Sequence, residues 1–217
     1  MKRSLSPHEF AAAPRSPLTR VTIPLPVTDV ELYFDLGSPY AYLAVARAEA
    51  ALGRRPILRP LLLGAIFKAR GYGSWAQTAQ RDQRKGELEA RAGRYGLPPL
   101  HWPPSWPLDG LVAMRACVWA QEQGALDAFA HAVFGHEFAR GEDTSGVDSL
   151  AAIAEEVGLS GEALRAAVGS PPIKERLRAL TDEAWRRGVR GVPTAVVGAT
   201  VVYGDDQLEQ VGLLLRA

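Results

Sequence analysis

Gly37-Ser38-Pro39 stands between an apolar extended run and a helical one, and few backbone paths join the two at that point. Val30-Glu31-Leu32-Tyr33-Phe34 reads as a short buried strand. Gly37 permits a sharp turn. Ser38 suits a helix N-cap, and Pro39 suits the first helical position, where a missing N–H costs nothing. Apolar residues continue at helical spacing to Leu52, and Gly53 stops the helix. The product is strand, tight turn and helix, with a hydroxyl at the helix N-terminus. Such an end gathers unpaired N–H groups and partial positive charge, so it favours an anion. Taken alone, Ser38 is an ordinary cap.

The chain has 217 residues, enough for one large domain or a small domain carrying an insertion. Its formal net charge of +1 gives no electrostatic ground for binding nucleic acid or an anionic membrane. Cys117 is the sole cysteine, which excludes an intramolecular disulfide and a Cys-x-x-Cys redox couple. Its apolar neighbours predict a buried structural thiol. No apolar run is long enough to span a bilayer. Residues 1–28 mix Pro, Ser, Arg and Ala without an apolar core, so they read as a poorly ordered arm rather than a secretory signal. Cytoplasm is the expected compartment.

A second strand is expected over Pro56–Leu63, making a right-handed βαβ unit with the first. A helical turn follows at Gly64–Gly71. Beyond Tyr72 the pattern turns helical: Ala76–Tyr95, Asp109–Gln123, Leu126–Arg140, Asp148–Val157, Gly161–Val168 and Ile173–Arg187. Between the first two, five prolines in Leu97–Pro107 exclude regular structure. Strands resume at Gly191–Val197 and Thr200–Tyr203, joined by Gly198-Ala199 as a hairpin. Gly204-Asp205-Asp206 opens a last helix. The expected organisation is an α/β domain formed by residues 29–70 and 188–217, with an inserted helical subdomain over 71–187.

That order resembles the thioredoxin fold, β-α-β then β-β-α, with a large all-helical insertion. Ser38-Pro39-Tyr40-Ala41 takes the place of Cys-x-x-Cys, and Val192-Pro193 the place of the cis-proline loop. Phe34-Asp35-x-x-Ser38-Pro39-Tyr40-x-Tyr42-Leu43, Arg59-Pro60 through Phe67-Lys68, Gly191-Val192-Pro193-Thr194 and Gly204-x-Asp206 together look like the 2-hydroxychromene-2-carboxylate isomerase family, which is close to the kappa-class glutathione transferases. The resemblance covers roughly residues 29–215.

The resemblance implies glutathione as cofactor, a small-molecule substrate and, by analogy, a homodimer. It implies a glutathione thiolate beside Ser38 that adds to an unsaturated, aromatic-derived carboxylate, lets a bond rotate, and leaves. The need is for thiolate at neutral pH, because a free thiol of pKa about 8.5 is only a few per cent ionised there. Lowering that pKa by about two corresponds to roughly 2.7 kcal/mol, within reach of a hydroxyl donor plus helix-end amides. Val192-Pro193, as a cis bend, would pair with the cysteinyl main chain. Gly204, Asp205 and Asp206 would hold the γ-glutamyl end, and either aspartate is equally a simple cap. Lys68 would reach a carboxylate of glutathione or substrate, or is a solvated lysine. Pro39, Tyr40, Tyr72, Trp102 and Trp106 are the expected substrate contacts. Trp75, Trp102, Trp106 and Tyr72 would line an apolar pocket for an aromatic substrate, and they are equally explained as the packing of proline-rich loops onto helices.

The chain departs from that family's pattern at several polar positions. Gly71-Tyr72 replaces Gly-Asn, Asp206-Gln207 replaces Asp-Arg, Asp109 stands for Asn, and a lysine of the insertion is replaced near Gln80. The basic run from Arg84 to Arg94 is interleaved with Glu87 and Glu89 and reads as a solvated helix face. His131 and His136 lack metal-binding spacing, so no metal is expected. Gly-x-Ser-x-Gly is absent, and no histidine serves Ser38. The alternatives are a kappa-like glutathione transferase and, in another class, a redox-inactive binding protein.

Overall fold

The computed structural model describes residues 29–71 and 73–216. The expected N-terminal arm and Tyr72 lie outside them. β1 (Val30–Phe34) is an inner strand, paired on both edges; Val30, Leu32 and Phe34 on one face are at most 1% exposed, and Tyr33 on the other is 4% exposed. It pairs in parallel with β2 (Ile57–Pro60), Leu32 opposite Leu58. On its other edge it pairs antiparallel with β3 (Thr194–Val197), Leu32 opposite Ala195. β4 (Thr200–Tyr203) closes the hairpin, so the order is β2-β1-β3-β4.

α1 (Pro39–Leu52) connects β1 to β2. Ser38 is extended, and its Oγ accepts the Ala41 N–H at 3.3 Å. Gly53 ends the helix with φ +73°, a conformation glycine adopts without a Cβ clash. β2 is shorter than expected. Pro60 offers no N–H to carry the ladder on, and the chain turns at Leu61-Leu62 into α2 (Leu63–Arg70).

Helices and loops, with no strand among the described residues, then lead to β3. A short 3₁₀ turn, Trp75–Gln77, capped by Ser74, precedes α3 (Arg81–Arg94), so the stretch expected as one helix is two elements. α4 (Leu111–Glu122) and α5 (Leu126–Phe134) follow, and α5 widens into a π-helical turn at Gly135–Ala139. α6 (Val147–Glu156), α7 (Gly161–Ala167) and α8 (Pro171–Arg186) complete the segment. The final helix also divides, into a 3₁₀ turn at Asp205–Gln207 and α9 (Leu208–Leu214).

The result is a thioredoxin-like fold whose helical segment shares one core with the sheet. Phe134 sits 6.0 Å from Phe34 of β1 and 5.9 Å from Tyr42 of α1, ring to ring. Each such pair contributes about 0.5–1.5 kcal/mol beyond its buried area. Cys117 is fully buried on α4, as its neighbours predict. No helix among the described residues is long and apolar enough to cross a membrane.

Candidate active site

The turn between β1 and α1 is held from below by one carboxylate. Asp35 accepts the Gly37 N–H at 2.9 Å and the Leu63 N–H at 2.7 Å, and its carbonyl accepts the Ser38 N–H at 3.1 Å. These bonds tie the start of α1 to the start of α2. Burial pushes the Asp35 carboxyl up to about 6, against the two amide bonds that favour its charged form. Ser38 is thereby fixed at 5% exposure. Its Oγ lone pair takes the cap bond, which leaves the hydroxyl proton available to donate.

Ser38 opens onto a cavity of about 420 Å³. The wall across from it is the bend before β3, where the Val192–Pro193 bond is cis, as expected. Thr194 Oγ1 closes that bend by donating to the Gly191 carbonyl at 2.8 Å. The ladder to β1 starts only at Thr194, so the strand is shorter than expected and Val192 stands outside it. A Cβ on Gly191 would lie 2.9 Å from the Tyr203 ring, so a side chain there would have to displace that exposed ring.

Tyr40, Gly204, Asp205 and Asp206 also line this cavity. The two aspartates are unlike. Asp205 is 1% exposed and accepts from Arg91 Nη1 at 2.7 Å and from the Tyr95 hydroxyl at 3.0 Å. Burial raises its pKa, while these partners pull it down. Asp206 is exposed, and its carboxylate makes no hydrogen bond among the described residues. The Gly204 N–H donates to the Pro193 carbonyl at 3.0 Å, so this expected ligand contact is spent inside the protein. Asp205 and Asp206 supply the next amides.

Several expected contacts lie elsewhere. Lys68 faces a neighbouring cavity of about 590 Å³ that it lines with Asp109 and Leu108. The reason is helical phase: Leu63, Phe67 and Arg70 share the face toward Ser38, and Lys68 is rotated off it. Trp106 is 2% exposed, packed between Trp102 at 4.7 Å and Trp75 at 5.5 Å, and neither Trp102 nor Trp106 reaches the cavity. The proline-rich loop needs that apolar packing because it has few hydrogen bonds of its own. Pro39 is buried at the helix start and does not line the cavity either.

Trp75 lines the cavity, as one of its two expected roles, and so do four arginines, at positions 70, 84, 91 and 190, that the sequence pattern did not single out. Arg84 and Arg91 correct the reading of α3 as a solvated face. Leu88, 1% exposed between them, shows that this face turns inward, and the spacing of Arg84, Leu88 and Arg91 at helical intervals was the available signal. Arg190 is held by the Trp185 and Val189 carbonyls and stacks on Trp185.

Residues 29–216 match the DSBA-like thioredoxin domain family. The chain is 29% identical over 189 residues to the 2-hydroxychromene-2-carboxylate isomerase of Sphingobium xenophagum, covering 83% of this chain and 94% of that one. It is 30% identical over 213 residues to human glutathione S-transferase kappa 1, covering 88% and 92%. A solved structure of a 2-hydroxychromene-2-carboxylate isomerase superposes with a TM-score of 0.77 at 24% identity, over 86% of this chain and 94% of that one, which speaks to fold.

Proposed function

Because the chain belongs to the DSBA-like thioredoxin-domain family, we propose that it is a glutathione-dependent enzyme, an isomerase of the 2-hydroxychromene-2-carboxylate type acting on an unsaturated, aromatic-derived carboxylate. The observation that carries this reading is the juxtaposition of the Ser38 hydroxyl and the cis Val192–Pro193 bend on one cavity, in a chain whose own thiol is buried elsewhere. On this reading the reactive sulfur comes from a ligand. When bound, glutathione supplies the nucleophilic thiolate.

The residues present fit such a ligand. Ser38 donates its proton toward the sulfur position and remains fixed by the Ala41 amide. The Val192 main chain, outside the ladder, offers the rung that a peptide ligand pairs with. Asp206 is the acid available to an ammonium, since Asp205 is occupied by Arg91 and Tyr95. Four arginines against two aspartates leave the lining cationic, which favours an anionic thiolate and an acidic substrate.

The identity with the human kappa transferase supports a second reading, in which the glutathione adduct is released. Isomer interconversion of 2-hydroxychromene-2-carboxylate, followed with glutathione well below the substrate concentration, separates the two. An isomerase completes many turnovers per glutathione; a transferase stops when glutathione is consumed. Absence of glutathione binding in calorimetry at millimolar ligand would sink both.

A further inference from the structure

One wall of the Ser38 cavity alternates cations and rings. The Arg84 guanidinium lies 5.7 Å from the Trp75 ring centroid. Trp75 meets Tyr40 edge-on at 6.0 Å. The Arg91 guanidinium lies 5.6 Å from the Tyr40 centroid. All four residues line the cavity with Ser38.

The two cations are committed differently. Arg91 is neutralised by the buried Asp205 at 2.7 Å. Arg84 has no carboxylate partner among the described residues. Its Nε donates to the Gln80 amide oxygen at 3.2 Å, one helical turn back. That bond orients the guanidinium without cancelling its charge, and it leaves the Nη groups for another acceptor. A planar guanidinium binds a carboxylate through two parallel N–H···O bonds, and it does so best where water is partly excluded.

A glutathione carboxylate is the competing occupant. Glutathione has no flat ring, however, and Arg84 comes with Trp75 and Tyr40 beside it. An apolar aromatic wall next to an unneutralised guanidinium matches a planar aromatic acid, ring on the wall and carboxylate on the cation. The anchors for a peptide ligand, Val192 and Asp206, come from the segments flanking the return hairpin and not from α3.

We propose that Arg84 is the specificity-determining residue for the carboxylate of the electrophilic partner, a planar aromatic acid seated against Trp75 and Tyr40; as an assignment to the electrophile it rests on the glutathione-dependent reading above. The probes are 2-naphthoate and its neutral isostere 2-naphthamide, titrated into the whole protein with and without glutathione and followed by calorimetry. The wild-type protein is expected to prefer the acid by about tenfold or more, the scale of one charge-assisted contact. Arg84→Gln is expected to abolish that preference and Arg84→Lys to retain part of it, while glutathione affinity stays within about twofold of wild type. Equal binding of acid and amide by the wild type, or no binding of either, overturns the assignment. So does an Arg84→Gln variant that loses glutathione affinity and keeps the acid preference. A wild type that binds naphthoate through Arg84 yet never binds glutathione overturns the proposed function and leaves the Arg84 acid site standing.

Discussion

Arg91 of α3 donates to the Asp205 carboxylate at 2.7 Å, joining the helical segment to the turn that follows the return hairpin. Tyr95, one helical turn on, donates to the other carboxylate oxygen at 3.0 Å. Arg47 of α1 reaches the Asp205 carbonyl at 2.7 Å and lies over the Tyr95 ring. Three elements therefore meet at one buried acid. Arg91→Ala strands that acid with a single side-chain donor, and the expected loss is roughly 3 kcal/mol of stability. The Arg91→Ala/Asp205→Asn double variant is expected to lose less than Arg91→Ala alone, because no buried charge is left over. Urea unfolding of the set measures both.

Ser38→Ala separates capping from chemistry. Loss of the cap bond to Ala41 is expected to cost about 1 kcal/mol of stability. Loss of the hydroxyl donor is expected to raise the pKa of bound glutathione by about one, the worth of one hydrogen bond to a charged group. Titration of the thiolate absorbance in the complex reads the second effect directly. A thiol pKa that does not move would remove Ser38 from the mechanism and leave it as a cap.

Much of this arrangement was legible in the chain because it is local. The Gly37-Ser38-Pro39 turn and the helix it starts depend on residues within a few positions of one another; the cis Val192–Pro193 bend was expected from the family resemblance. The parallel pairing of β1 with β2 and the β3–β4 hairpin followed from the lengths of their connections, whereas the antiparallel pairing of β1 with β3 joins strands far apart in the chain. What was illegible depends on phase and distant packing. Lys68 and Arg70 are two residues apart, yet a turn of about 100° per residue puts only Arg70 on the Ser38 cavity. Glu87 and Glu89 made α3 look uniformly wet, although Leu88 marks an inward face. Trp102 and Trp106 are spent on each other and on Phe138, which no local pattern specifies. The double claim on Asp205, 114 and 110 positions from its partners, is equally invisible in one dimension.

Lowering the pH from about 8 to about 5 is expected to stabilise this fold. Glu137, on the π-helical turn, is 2% exposed, and burial together with the charges of Asp35 and Asp143 holds its carboxyl up at about 8, while its bond from Thr144 at 2.8 Å works the other way. Asp35 sits at about 6. Both values lie above the ordinary 4.5 and 3.8 of these groups, so the folded state keeps protons that the unfolded chain has released. Stability is then fully present below the ordinary values and falls as pH rises through 6 and 8. The expected gap between about pH 5 and pH 8 is roughly 3 kcal/mol or more, since each proton retained only by the folded state contributes about 1.4 kcal/mol per pH unit. Denaturation midpoints across that range test it, and Glu137→Gln should remove the alkaline part of the slope.

Cys117 decides whether the reactive sulfur is the protein's own. It is 0% exposed on α4, and burial, helped by the charge of Asp35, pushes its thiol well above the ordinary value. A thiol in that state is a poor nucleophile, because the thiolate is the reactive form. It also lines neither the Ser38 cavity nor its neighbour. Native protein is therefore expected to resist an aromatic disulfide reagent until it is unfolded, when one thiol per chain should react. Cys117→Ala is expected to cost about 1–2 kcal/mol through the small cavity it leaves. Isomerase turnover with added glutathione should persist in that variant and should vanish in both proteins when glutathione is withdrawn. Turnover by the wild type without any added thiol, lost in Cys117→Ala, would transfer the chemistry to α4 and leave the Ser38 cavity without a role in it.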